Sequence, residues 1–146
     1  MGKLWDILYD GWELLKEGYE IEARRKFKEV LKYDSKYVDA LNGLGNIAFD
    51  RGRLKEAEKY YRAAYRLTVE KLGDEFSKQV RWSIISNRQY LRAMHGLGLV
   101  LWRKGKPREA LVIFEKILEL NPDDQQGIRF LVSAIEKGQK WKDFVD

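Results

Sequence analysis

The chain has 146 residues, 45% of them apolar and 35% charged, with a formal net charge of +5. That length suits one domain, residues 1–146, and is short for two. The absence of cysteine excludes a disulfide framework, a thiolate zinc site and a cysteine nucleophile. A single histidine, His95, leaves little basis for a Ser-His-Asp hydrolase or a multi-histidine metal site, so neither enzymatic activity nor a cofactor is expected. No run of roughly 20 apolar residues is present to cross a bilayer; a cytoplasmic protein without membrane association is the expectation.

In chain order, the first element carries Trp5, Leu8, Trp12 and Leu15 at helical spacing around Gly11 and ends near Gly18. Beyond it, Gly18, Glu22, Ala23 and Phe27 begin a pattern that returns 34 residues later as Gly52, Glu56, Ala57 and Tyr61. The pattern returns again as Gly105, Glu109, Ala110 and Phe114. Upstream of the second and third copies lie further apolar-periodic segments, Leu41-Leu44-Gly45-Ala48 and Met94-Leu97-Gly98-Leu101. A repeat at this period means stacked supersecondary units, here three helix–turn–helix pairs. Gly18, Gly52 and Gly105 stand where a helix ends on a left-handed residue, which is cheapest without a Cβ. The alanines are small where two helices cross, and Phe27, Tyr61 and Phe114 lie one turn later on the same face. Asn121-Pro122-Asp123-Asp124 closes the third pair and starts a capping helix over 125–137, with Ile128, Leu131, Val132 and Ile135 on one side to cover the end of the stack.

This pattern resembles the tetratricopeptide repeat family, with repeats at about 4–37, 38–71 and 91–124. The third unit matches best, from Leu91 through Gly98, Trp102, Gly105, Ala110 and Phe114 to Pro122. The first departs most, with Asp10 before Gly11 and Ser35 in place of the closing proline. The resemblance implies an all-α solenoid of antiparallel helix pairs whose concave groove holds peptides. It also implies a non-enzymatic interaction scaffold. Chaperone-binding members grip a terminal aspartate with a clamp that includes a lysine and two asparagines. Asn46 matches one asparagine, but Asn42 stands at the lysine and Gly96 at the second asparagine, so that subtype is disfavoured.

Gly52 and Gly105 are 53 residues apart, one repeat plus 19, which defines an insertion at 72–90 between the second and third units. Phe76, Val80 and Ile84 are spaced by four, and Ser86 and Gln89 have the spacing of a capping box. The favoured reading is a short extra helix near 74–85, a bend, and a repeat helix from Asn87 to Lys104. One continuous helix of roughly 29 residues is the alternative.

From Phe76 through Arg108 there is no acidic residue and eight basic ones, so this segment carries +8 and the remainder −3. Arg88, Arg92, His95, Leu99, Trp102 and Arg103 share one helical face, which by the family resemblance lines the groove. The corresponding faces are Asp39, Asn42, Asn46, Phe49 and Asp50 in the second unit, and Trp5, Leu8, Trp12, Leu15 and Lys16 in the first. The arginines either pair with Asp39, Asp50 or neighbouring carboxylates, or bind an acidic peptide. In the second case Asn42 and Asn46 would hydrogen-bond its backbone, with an apolar anchor against Phe49 and Trp102. An RNA-associated role is a further alternative, using the basic 78–108 segment with Trp82, Tyr90 and Trp102 as stacking groups. A homodimer is another, because the Trp5/Leu8/Trp12/Leu15 stripe must be covered by the insertion or by a second copy. Gly43-Leu44-Gly45-Asn46-Ile47-Ala48 fits the letter of a dinucleotide fingerprint, but it lies within a helix with no strand before it.

Overall fold

The glycine-punctuated periodicity produces the helices it marks. The computed structural model describes residues 2–145. Met1 and Asp146, the outermost positions of the expected domain, lie outside the described residues. Three helix pairs follow one another: α1 (Gly2–Lys16) with α2 (Glu20–Tyr33), α3 (Val38–Asp50) with α4 (Leu54–Leu72), and α5 (Arg88–Arg103) with α6 (Pro107–Leu120). Two further helices, α7 (Ile128–Glu136) and α8 (Trp141–Val145), complete the described chain. The turns inside the pairs carry Gly18, Gly52 and Gly105 at φ 91°, 73° and 81°, a region where a Cβ is strained. The first helices of successive pairs touch, α1 on α3 and α3 on α5, so they form the inner wall of the stack.

One packing rule ties sequence to stack. Phe27 is fully buried between Gly11 of its own pair and Gly43 of the next; a Cβ on either would come within 2.8 Å and 2.6 Å of its ring, respectively. Tyr61 repeats the arrangement between Gly45 and Gly96, and Phe114 rests on Gly98. Phe27 and Tyr61 each fill a notch left by missing side chains on two neighbouring helices, and Phe114 one on its own pair. Burying such a ring contributes about 1.5–3 kcal/mol. Gly45 is thus a packing glycine, and the apparent dinucleotide fingerprint lies inside α3.

The insertion departs from expectation. No α-helix forms over 74–85; a 3-10 turn at Gly73–Ser77 is followed by irregular chain and a second 3-10 turn at Ile85–Asn87. Neither is the alternative, a single long helix, present. The segment is poor in strong helix formers, with Val80, Ile84 and Ile85 β-branched and Ser77, Ser83 and Ser86 prone to local hydrogen bonding. Its backbone bonds outward instead. The Val80 N–H donates to the Leu120 carbonyl at 2.9 Å, and the Trp82 N–H to Asn121 Oδ1 at 3.1 Å. Phe76 packs edge-on against Tyr65 and Val80 is buried, so two members of the apolar stripe are used without a helix, while Ile84 is left exposed. Ser86 forms no capping box: α5 has no side-chain cap, and Gln89 Nε2 reaches back to the Ser86 carbonyl at 3.4 Å.

The capping helix starts later than expected, at Ile128, because Gly127 is left-handed at φ 72°. Asp124 caps it from outside, accepting the Ile128 N–H at 2.6 Å and the Arg129 N–H at 2.9 Å. The buried Ile128, Leu131, Ala134 and Ile135 join the core of α5 and α6. Among the described residues no helix is long and apolar enough to cross a membrane.

Candidate functional site

The inner wall presents two clefts separated by a closed middle. The first lies between α1 and the start of α5. Trp5 and Tyr9, one turn apart, stack at 5.3 Å with half of each side chain exposed. Across from them stand Arg88 and Arg92, with Ile85 and Ser86 from the end of the insertion, enclosing about 610 Å³. Trp82 organises both guanidinium groups: Arg88 lies over its ring at 5.1 Å and Arg92 at 5.5 Å. Arg88 Nε also donates to the Trp82 carbonyl at 2.9 Å. The insertion therefore aims the arginines, and its anchorage on Asn121 is what holds Trp82 beneath them.

Asp39 is the hub at the floor of this cleft. Its buried carboxylate accepts from Trp12 Nε1 at 3.1 Å, Asn42 Nδ2 at 3.1 Å and Arg92 at 3.3 Å. Of the two roles open to the arginines, Arg92 thus takes the pairing one in part, while Arg88 has no carboxylate partner among the described residues. Two guanidinium charges face one carboxylate, and the cleft stays cationic.

The amide-rich middle is not open to a peptide at Asn42. Its side chain is 1% exposed, and Nδ2 also donates to the Gln89 carbonyl at 2.9 Å, which ties α3 to α5. Asn46 is half-buried beside it. His95 is held edge-on to Phe114 with Nδ1 against Gln126 Nε2 at 3.3 Å, facing the cap rather than the arginines. Desolvation pushes its pKa down to about 4 against an upward pull from Asp124, so it is neutral at pH 7 and adds no charge to the groove.

The second cleft lies at the ends of α3 and α5. Phe49, Trp102 and Arg103 come together there, as the helical phase requires, with Arg103 donating to the Phe49 carbonyl at 2.7 Å and lying 4.9 Å over its ring. The chain itself occupies this cleft. Trp141 of α8 meets Phe49 at 5.2 Å and Trp102 at 5.8 Å, and Phe144 meets Trp102 at 5.1 Å. A ligand's apolar anchor therefore does not find Phe49 and Trp102 vacant, contrary to the expectation from the helical face. Nearby, Lys104 is paired to Glu58 at 2.6 Å, and hydrogen bonds from Lys104 and Arg62 hold the Glu58 carboxyl below its usual range.

The family comparison agrees with this architecture. Tetratricopeptide repeat models match residues 22–68 and residues 91–124. The chain is a tetratricopeptide repeat protein. The two matched stretches flank the insertion. No curated protein matches the chain at a significant level. Tetratricopeptide repeats are protein–protein interaction scaffolds, and a protein partner follows in that general sense.

The structure also redistributes the apolar stripe of α1. Leu8 is buried, Trp12 and Leu15 are half-buried against Phe27 and its neighbours, and Trp5 remains 51% exposed. The insertion does not fold over the stripe; its end stands across the cleft from it. Tyr9, Trp82 and Trp141 were absent from the sequence-based groove set. Each carried a partial signal: Tyr9 stands one helical turn after Trp5, Trp82 is an aromatic residue in the basic segment, and Trp141 is the first of two aromatic residues three apart beyond Gly138. Of the stacking groups that an RNA role would use, Trp102 is 2% exposed and Trp82 lies under two guanidinium groups.

Proposed function

We propose that this tetratricopeptide repeat scaffold binds a peptide or helix of a partner protein in the cleft between α1 and α5. The ligand's acidic group meets Arg88 and Arg92, and an apolar or aromatic anchor packs on the Trp5–Tyr9 stack. The observation that carries this reading is Arg88: a guanidinium positioned over Trp82, without a carboxylate partner among the described residues, in a cleft opposite two half-exposed aromatic rings. Arginine's planar fork suits a carboxylate, and a weakly hydrated guanidinium on an aromatic face loses little on pairing. Asp39 supports the site from behind by fixing Trp12 and Arg92.

A peptide array tests it. Acidic peptides with and without an aromatic residue two to four positions from the carboxylate are probed with the full chain. Acidic–aromatic peptides should be retained, and neutral or basic counterparts should not. Retention that depends on acidic charge alone and disappears with added salt would favour diffuse electrostatics and move the nucleic-acid alternative forward.

A further inference from the structure

The segment after the cap does more than end the fold. Gly138, at φ 81°, turns the chain back, and Trp102 Nε1 donates to the Gln139 carbonyl at 3.2 Å. The next residues form a single turn, with Asp143 and Phe144 N–H groups bonding to the Lys140 carbonyl. The turn brings Trp141 and Phe144 onto Phe49, Trp102 and Arg103 at the inner wall. Trp141 is half-buried there and Phe144 keeps 38% of its surface exposed; Lys140, Lys142, Asp143 and Val145 are exposed as well, and a cleft of about 520 Å³ remains beside Trp141. A helix of five residues cannot sustain itself, because helix nucleation is unfavourable and its few hydrogen bonds do not repay it. Two aromatic side chains and one indole hydrogen bond hold it in place.

We propose that the Phe49–Trp102–Arg103 cleft is a second ligand subsite, occupied by the chain's own residues 139–145. The partner it fits is a short helical peptide with two aromatic residues three positions apart, which binds when that segment leaves. The internal occupant shows which chemistry the cleft accepts: edge-on aromatic contacts on Phe49 and Trp102, with a guanidinium over Trp141 at 5.8 Å. A linker of only a few residues keeps the segment at an effective concentration on the order of millimolar, so it masks the subsite from weak competitors and yields to strong ones. This inference rests on reading the inner wall as the binding face, but it uses the end of the groove away from Arg88.

The test uses a labelled synthetic peptide with the sequence of residues 139–145, blocked at both ends and carrying Asp143→Asn so that it offers no carboxylate to Arg88, followed by fluorescence anisotropy on the full chain. Trp141→Ala/Phe144→Ala should bind the peptide at least tenfold more tightly than the wild type, and adding Phe49→Ala should abolish the gain. Asp143→Pro, which unwinds the turn while leaving both aromatic residues in place, should also open the subsite and covers the case in which the double variant folds poorly. Equal affinity for wild type and opened variants, or no binding to any, overturns the proposal. Arg88→Glu should leave this peptide's affinity unchanged, so failure here and failure of the acidic-peptide reading are separate results.

Discussion

A methyl group on Gly96 would fall inside the ring of Tyr61. The ring of the second pair lies against the bare backbone of α5, with the position of a Cβ on Gly96 only 2.2 Å from Tyr61 Cε1. Gly96→Ala should therefore destabilise the stack by about 1–3 kcal/mol through overpacking, outweighing the helix-propensity gain of about 1 kcal/mol. Urea unfolding checks it, and Tyr61→Leu in the same chain should recover part of the loss, giving a non-additive double-mutant cycle.

Asp39 gathers Trp12, Asn42 and Arg92. Asp39→Ala leaves buried donors unpaired and should cost about 1–3 kcal/mol. Arg92→Gln removes only a half-exposed ion pair and should cost at most about 1 kcal/mol. Urea midpoints of the two variants should therefore differ, with the aspartate variant clearly the weaker.

The helix pairs were legible because each is specified locally. A turn glycine, a small residue five positions on and an aromatic ring four beyond it are spaced closely enough for helical periodicity to report them. The conformation of 73–87 was not, because it depends on Leu120 and Asn121, roughly 40 residues away, and on no period of its own. The same holds at the site. Phase alone puts Arg88, Arg92, Trp102 and Arg103 on the inner wall and offers Asp39 or Asp50 as pairing carboxylates, but it does not say that Asp39 takes Arg92, nor that a tryptophan covers Trp102. His95 shares the arginines' face in projection, yet it meets Gln126 from the cap, a contact made by tertiary packing.

Asn121 is the residue that converts this long-range contact into an anchored insertion. It is buried, accepts the Trp82 N–H and donates to Gln125 at 2.9 Å. Asn121→Ala should cost about 1–3 kcal/mol. In hydrogen exchange, the amides of Val80 and Trp82 should open faster while those around Phe27 are unaffected, the pattern of a local rather than a global change.

His95 gives a pH signature. Its pKa in the folded state, about 4, lies below the ordinary value of 6.5, so the unfolded chain takes up a proton that the folded chain refuses. The associated stability is fully present above pH 6.5 and is lost as pH falls toward 4, amounting to roughly 3–4 kcal/mol at about 1.4 kcal/mol per pH unit. His95→Gln should flatten the decline of the urea midpoint across that window.

The most direct test of the central claim is the affinity of an array-selected acidic–aromatic peptide for the wild type, Arg88→Glu and Arg24→Glu, measured by calorimetry at low and high salt. Arg24 is on α2 and pairs with Glu56 at 3.7 Å, outside the cleft. Arg88→Glu should weaken binding by at least about tenfold, because a charge-assisted hydrogen bond worth about 1.5–3 kcal/mol becomes a repulsion, and the loss should persist in salt. Arg24→Glu should leave affinity within about twofold, as expected for an exposed charge away from the ligand. Equal losses in both variants, each erased by salt, would contradict a defined site between α1 and α5.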